Sequence, residues 1–400
     1  MEYNLDAVVA GHLCLDITPS FLAGERRPVG ELLRPGRLVN IGPATISTGG
    51  AVSNTGLNLI KLGLRARLLG KIGADLLGES VRAVLRQAGH DGEGLLVAPG
   101  EQTSYTIVLA PPEVDRIFLH DPGVNDTFCA ADIDFDSLRG ARLFHLGYPP
   151  LMRRLYQCEG AELIEIYRRV KALGLTTSLD MSLPDPASES GRVNWRRVLE
   201  RLLPQVDIAL LSAEEAMFML DRPRFETLRD AAGAEDPLDV YGWAEIDWLG
   251  REMLRLGAAL AVVKCGQKGL VLLSADAERV GRMGAATPAD ARAWAGRELL
   301  EEVFAVERVV SATGAGDATI AGFLAALLRG LGPEACLKTA CCVGAQCVRV
   351  PDALSGVADW PTTQALVAGW AKRRLDQPGE GWAYDEAARV WRGRRETANS

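Results

Sequence analysis

Ser311-Ala312-Thr313-Gly314-Ala315-Gly316-Asp317 is the stretch on which the reading of this chain turns. Before it lies an apolar, β-branched run, Val303-Phe304-Ala305-Val306 and then Val309-Val310, which predicts a buried strand over 303–310. After it, Ala318 to Leu328 is largely apolar and predicts a buried helix. A glycine turn between the two would point several free backbone N–H groups, and the positive end of the helix dipole, at one spot. An anion suits that spot. Asp317 sets a carboxylate beside it, where it would repel the anion unless it has a task. Taking a proton from a hydroxyl that attacks a phosphoryl group is such a task. A first-turn carboxylate that merely complements the dipole is the alternative. No G-x-x-x-x-G-K-[ST] loop occurs anywhere in the chain, and Thr319 stands where a dinucleotide fingerprint needs glycine.

Outward from this point, strand-like and helix-like runs alternate. Strands are expected at Ala7–Ala10, Ala66–Lys71, Ala141–Leu146, Leu175–Asp180, Val206–Leu211, Ala259–Lys264 and Leu270–Leu273. Helices are expected at Ala51–Leu62, Leu76–Ala88, Leu163–Leu173 and Ile246–Leu256. The class is α/β: a doubly wound, mostly parallel sheet covered by helices on both faces. Two stretches break the rhythm, 17–48 and 101–121, and read as a small antiparallel β-flap, or lid, inserted into the core. The second is split by Pro111-Pro112-Glu113-Val114-Asp115. Surface hairpins without function are the alternative. The core is expected over 1–360. A C-terminal segment, 361–400, is expected to add one or two helices and a polar tail; together with Trp360 it carries Trp370, Trp382 and Trp391.

Four further sites carry chemistry. Gly49-Gly50 before a small-residue helix lets a ligand approach the backbone, and Asn54, one turn on, can donate to and accept from hydroxyls; a plain helix start is the other reading. Asp16 closes the apolar run Val8 to Leu15. There an α/β sheet places ligand-binding carboxylates, and there also a turn or cap Asp precedes Thr18-Pro19. Glu214 and Glu215, after the strand ending at Leu211, either organise Mg²⁺ through water or begin a helix. Lys264-Cys265-Gly266-Gln267-Lys268-Gly269 passes near nucleotide phosphates or makes only a hairpin.

Composition narrows the classes. The chain has 400 residues, 48% hydrophobic, with a net charge of −8. That permits a sizeable core and small anionic ligands, and argues against nonspecific binding to nucleic acid or an anionic membrane. No apolar run reaches membrane-span length, and the first residues do not read as a signal peptide, so a cytoplasmic setting is expected. The eight cysteines form no C-x-x-C pair and read as reduced, buried hydrophobes. The four histidines (His12, His90, His120, His145) show no metal-ligand spacing and read as core or surface residues.

As an ordered set, these features resemble the PfkB (ribokinase-like) family of carbohydrate kinases over residues 5–360. The series runs Gly11 to Asp16, Gly49-Gly50 to Asn54, His120 to Asn125, Ser212 to Glu215, Lys264 to Gly269, and Ser311 to Asp317. The resemblance implies an ATP-dependent kinase acting on a primary alcohol of a sugar or nucleoside. It implies Asp317 as base and the backbone of Gly314, Ala315 and Gly316 as anion hole. Asp16, Gly49, Gly50 and Asn54 would hold substrate hydroxyls, Lys264, Gly266 and Gly269 would line the nucleotide site, and Glu215 would order Mg²⁺. Ser311 replaces the usual Asp, in a region that binds a monovalent cation in many relatives, which puts potassium dependence in question. Ser212 replaces the usual Asn. Few aromatic residues in the lid favour a sugar or sugar acid over a nucleoside. Arg26, Arg27, Arg34, Arg37 and Arg116 keep a sugar phosphate open. A non-catalytic sugar- or nucleotide-binding regulator is the rival from another class. A homodimer pairing lid edges is also expected, since strand edges need covering.

Overall fold

The structure is a computed structural model, and it describes residues 3–21, 34–36, 38–110, 117–233, 236–375 and 378–393. In chain order its strands are β1 (Leu5–Gly11), β2 (Cys14–Pro19), β3 (Ala44–Gly49), β4 (Ala66–Leu69), β5 (Lys71–Gly73), β6 (Leu96–Ala98), β7 (Tyr105–Leu109) and β8 (Ile117–Asp121). They continue with β9 (Ala141–Gly147), β10 (Thr176–Leu179), β11 (Ile208–Ser212), β12 (Leu260–Lys264), β13 (Leu270–Ser274), β14 (Glu298–Glu301), β15 (Ala383–Asp385) and β16 (Val390–Arg392).

Ten strands form the main sheet in the order β15-β16-β14-β13-β12-β11-β10-β9-β1-β4. From β4 to β12 every neighbouring pair is parallel, and β13, β14, β16 and β15 extend the sheet antiparallel at one edge. The central strands are buried on both faces. Val8, Ala10, Phe144 and Leu146 pack into one apolar cluster, while Ala7, Val9 and Leu143 pack into another. Burial on two sides is why these strands read as continuous apolar runs. The helix Ala315–Leu328 is buried nearly end to end, which accounts for its uniformly apolar composition. The expected helix at Leu163–Leu173 matches the regular part of a longer one, Arg153–Ala172, broken at Gln157–Gly160.

The lid is a separate four-stranded sheet, β3-β2-β7-β8. It is mixed rather than antiparallel, because β2 and β7 pair in parallel. Its first strand begins at Cys14, so Asp16 lies inside the lid sheet and not at the end of a core strand; the core strand β1 stops at Gly11. Pro111–Asp115 fall outside the described residues.

Residues 303–310, expected as a strand, are not one. Only Phe304 makes a bridge, to Lys372, and Val309 and Val310 are 58% and 46% exposed. Both sides of β14 are already paired, with β13 and β16, so no place beside β14 is left for this segment despite its β-branched residues. Among the described residues beyond Trp360 the chain forms one helix, Trp360–Gly369, and then, instead of a second, the hairpin β15–β16 at the sheet edge. This end is anchored by a buried Lys372–Glu301 ion pair and by two indoles. Trp370 donates to the Ala305 carbonyl (2.8 Å) and Trp391 to Glu302 (3.1 Å). Cys14, Cys265, Cys336, Cys341, Cys342 and Cys347 are buried free thiols.

Candidate active site

The carboxyl ends of the parallel strands set a row of polar side chains along one crest of the sheet. His12 follows β1, Tyr148 follows β9, Asp180 follows β10, Ser212 ends β11 and Lys264 ends β12. This is where open α/β sheets bind ligands. We call Ala51–Lys61 α1, Ala213–Leu220 α2 and Ala315–Leu328 α3.

Gly314 starts α3 with φ 74°, a left-handed conformation that glycine adopts without a Cβ penalty. A Cβ there would also collide with Ala353. The turn therefore presents the first N–H groups of a 14-residue helix with Asp317 in its first turn. Asp317 is 1% exposed and accepts three hydrogen bonds: from Asn54 Nδ2 (3.0 Å), Thr55 Oγ1 (3.2 Å) and Tyr148 Oη (2.7 Å). Burial raises its carboxyl above the ordinary range, and the donors Asn54 and Tyr148, then Lys264 and Thr55, act against that rise.

Lys264 stands next to the turn, its Nζ 3.5 Å from where a Cβ on Gly316 would lie. The amine pairs with Asp180 Oδ1 at 2.6 Å and lies 3.9 Å from Glu215 Oε2. Burial works against its charge, but Asp180, Glu215 and Asp317 together hold it above its usual value. Burial drives Asp180 well up, against the pull of Lys264, and its Oδ2 has no hydrogen-bond partner. Glu215 also closes a capping box at the start of α2, accepting from Ser212 N (2.6 Å) while Ser212 Oγ accepts from Glu215 N (3.1 Å). Gly266 and Gly269 form the tight turn between β12 and β13, with Gly269 packed on the Glu301 backbone.

On the lid side, the protein's own groups pack closely on Gly49 and Gly50, where the sequence expects a ligand to approach. A Cβ on Gly49 would collide with the Asp16 carboxylate, and one on Gly50 with the His12 carbonyl. Asp16 accepts from the Cys14 thiol at 3.3 Å, and burial raises its carboxyl. His12 and His120, expected as unrelated core or surface residues, meet here with Nε2 atoms 3.3 Å apart, and His120 Nδ1 lies 3.0 Å from Thr106 Oγ1. Burial and then His120 push His12 down to about 3, so this pair is not doubly charged at neutral pH. Asn125 clasps the Leu13 backbone twice, at 3.3 and 3.0 Å, tying the lid's return strand to the chain entering it. His145 is a core residue bonded to Ser178.

Asn54, Asp317, Gly314, Gly316 and Lys264 thus come together, with Glu215 at the edge; Asp16, Gly49 and Gly50 lie at the lid base. Sequence reasoning missed Tyr148, Asp180, Thr55, His12 and His120. The available signal for Tyr148 and Asp180 was position, since Asp180 ends one expected strand and Tyr148 lies two residues beyond another. Arg34 is exposed, and Arg26, Arg27, Arg37 and Arg116 lie outside the described residues. Among the described residues no cluster of three or more His, Cys, Asp or Glu encloses a metal, and no helix is long and apolar enough to cross a membrane.

Comparison with known proteins supplies relatives, a fold and a family. A relative, the probable fructokinase-6 (chloroplastic) of Arabidopsis thaliana, is 26% identical over 285 residues, 71% of this chain and 63% of that protein, so the match spans less than two thirds of the relative's length. An uncharacterized sugar kinase of Archaeoglobus fulgidus is 25% identical over 75% of this chain and 98% of its own. The solved structure of Arabidopsis thaliana ribokinase, complexed with ribose and ATP, superposes with a TM-score of 0.66 over 92% of this chain and 99% of that one at 20% identity, which establishes the fold. The family model for pfkB family carbohydrate kinases matches residues 26–360. The chain belongs to the pfkB family of carbohydrate kinases.

Proposed function

We propose that this protein transfers the terminal phosphoryl group of ATP to a primary hydroxyl of a small sugar or sugar acid. The observation that carries this reading is Asp317: a buried carboxylate in the first turn of α3, beside the N–H groups of the helix start, where that of Ala315 donates to the Ala312 carbonyl (3.1 Å), and near Lys264. In this reading Asp317 takes the hydroxyl proton, and the N–H groups of Gly314, Ala315 and Gly316 hold the oxygens of the transferring phosphoryl. Lys264 offsets its charge, and Lys264, Gly266 and Gly269 border the nucleotide. Asp16, Gly49, Gly50 and Asn54 hold the substrate's other hydroxyls. The polar lid base, with Asp16, Thr106, His12 and His120, suits a polyol better than an aromatic base.

Mg²⁺ fits the donor set. Three carboxylates face a single lysine there, and Asp180 Oδ2 is buried without a hydrogen-bond partner. Glu215 would hold the ion, largely through water, with Asp180 beside it; bound there, it neutralises phosphate charge. The lid, 17–48 and 101–121, would close over the substrate and exclude water, which otherwise competes as acceptor. The 1–360 core, a cytoplasmic setting and a homodimer through the lid belong to the same reading.

The test is a coupled ADP-release assay over a panel of sugars, sugar acids, sugar phosphates and nucleosides, with Asp317→Asn as control. The reading expects turnover with a polyol and a loss of about 10²–10⁴ in the variant. Undiminished turnover in Asp317→Asn would refute the mechanism. A response to nucleosides alone would move the substrate class, and a folded protein silent on the whole panel would make it a binding regulator.

A further inference from the structure

We infer that Tyr148 is a positioning residue of the proposed base: its hydroxyl keeps Asp317 ionised and oriented, leaving an Asp317 Oδ1 lone pair for the substrate hydroxyl. The inference rests on the reading of Asp317 as base. A carboxylate offers about four acceptor sites. Among the described residues Oδ2 takes two donors, Asn54 at 3.0 Å and Tyr148 at 2.7 Å, while Oδ1 takes only Thr55, at 3.2 Å. The open site is therefore on Oδ1, and the shortest bond lies on the other oxygen.

The backbone at Tyr148 bears out a built contact. Tyr148 has φ 65° and ψ 42°, a left-handed conformation that a bulky residue adopts only when its surroundings impose it. Its N–H donates to the Asp180 carbonyl (3.3 Å) and its carbonyl accepts from Leu151 N (3.0 Å), with Pro149-Pro150 between. This turn redirects the chain leaving β9 so that the ring reaches α3. The His12 ring lies 6.2 Å away centre to centre, tilted by 37°, and packs beside the phenol without sharing its hydrogen bond to Asp317. Burial, then Asp317 and Asp180, drive the phenol well above its ordinary pKa, so Tyr148 remains a donor throughout the working range. The other titratable groups facing Asp317 are Lys264 and Asp180 from the neighbouring strand ends and Cys347 from the helix Pro333–Cys347. Lys264 acts in the same direction as Tyr148, whereas Asp180 opposes it.

The experiment is the pH dependence of kcat and kcat/KM for wild type, Tyr148→Phe and Asp317→Asn, with melting temperatures. Loss of a donor to a charged acceptor is expected to move the acidic limb of Tyr148→Phe upward by about one to two pH units. KM should stay near wild type, because the phenol acts through Asp317 and not on the substrate. A profile superimposable on wild type, with or without a lower melting temperature, overturns the inference and leaves the base assignment standing. A lowered KM with an unmoved limb also overturns it, since that is the signature of a placeholder that the substrate displaces from Asp317. Wild-type turnover in Asp317→Asn removes the reading beneath it.

Discussion

Replacing Lys264 by Met separates the structural work of the lysine from its chemistry. The side chains of Lys264 and Asp180 are 13% and 1% exposed, with 2.6 Å between charged atoms. At an effective dielectric near 20, unit charges at that distance attract by about 6 kcal/mol, most of it offset by the cost of burying both ions. Removing only the lysine leaves Asp180 buried and unpaired with Glu215 and Asp317 nearby, and such a break costs about 3–5 kcal/mol. The sign with pH follows. Burial already raises Asp180's folded-state carboxyl, and without Lys264 it rises further. Protonation then relieves the variant, so its deficit is smallest at low pH and grows as pH rises through that carboxyl's folded-state pKa. Urea unfolding at two pH values reads the deficit as a shift of midpoint. Lys264→Met/Asp180→Asn should regain most of the stability while turnover stays low, because nothing replaces the cation beside the proposed phosphoryl site. A single variant within about 1 kcal/mol of wild type at both pH values would refute the buried pair. A double variant no more stable than the single would refute the reasoning about Asp180.

Three other outcomes are expected. Burial raises Asp317, so the acidic limb of kcat/KM should lie above the ordinary carboxylate value near 4, falling about tenfold per pH unit below it; a rate constant down to pH 4 would exclude Asp317 as the ionising base. Exchanging potassium for choline should leave turnover and melting temperature unchanged. Ser311 Oγ accepts from Thr313 N (3.1 Å), and the Cys347 thiol donates to the carbonyls of Thr313 and Ala353 (both 3.7 Å), so the turn is braced by its own groups. Potassium activation would show that this bracing is insufficient. Ile46, Phe118 and Leu119 on the lid are 52%, 55% and 52% exposed, and covering them is what a lid-to-lid dimer would do. Light scattering should then report a dimer for wild type and a smaller species for Phe118→Ser, whereas a monomeric wild type refutes the pairing.

The features legible from residue order are those set locally. Glycines at 49–50 and 314–316 announce turns because backbone conformation and close approach are properties of a few consecutive residues, and the buried helix after Asp317 reads directly from its apolar run. The alternation of apolar strands and helices announces the α/β class because each period is short. Residues 303–310 misled for the same reason: β-branched residues state a preference, but β14 already had both neighbours, and only the assembled sheet decides whether a position is open. Asp16 was placed at a core strand's end because the interruption of the strand at His12-Leu13 leaves no mark in hydrophobicity.

Residue order alone thus established the family's turns, the α/β layering and the identity of Asp317 as the residue to watch. Tertiary structure decided its company. Tyr148 and Asp180 reach the site because β9, β10 and β12 end on one crest, and His12 meets His120 across 108 residues because the lid folds back over β1. Strand order and the seating of the lid sheet are governed by the summed burial of the whole core, which no local window of sequence contains.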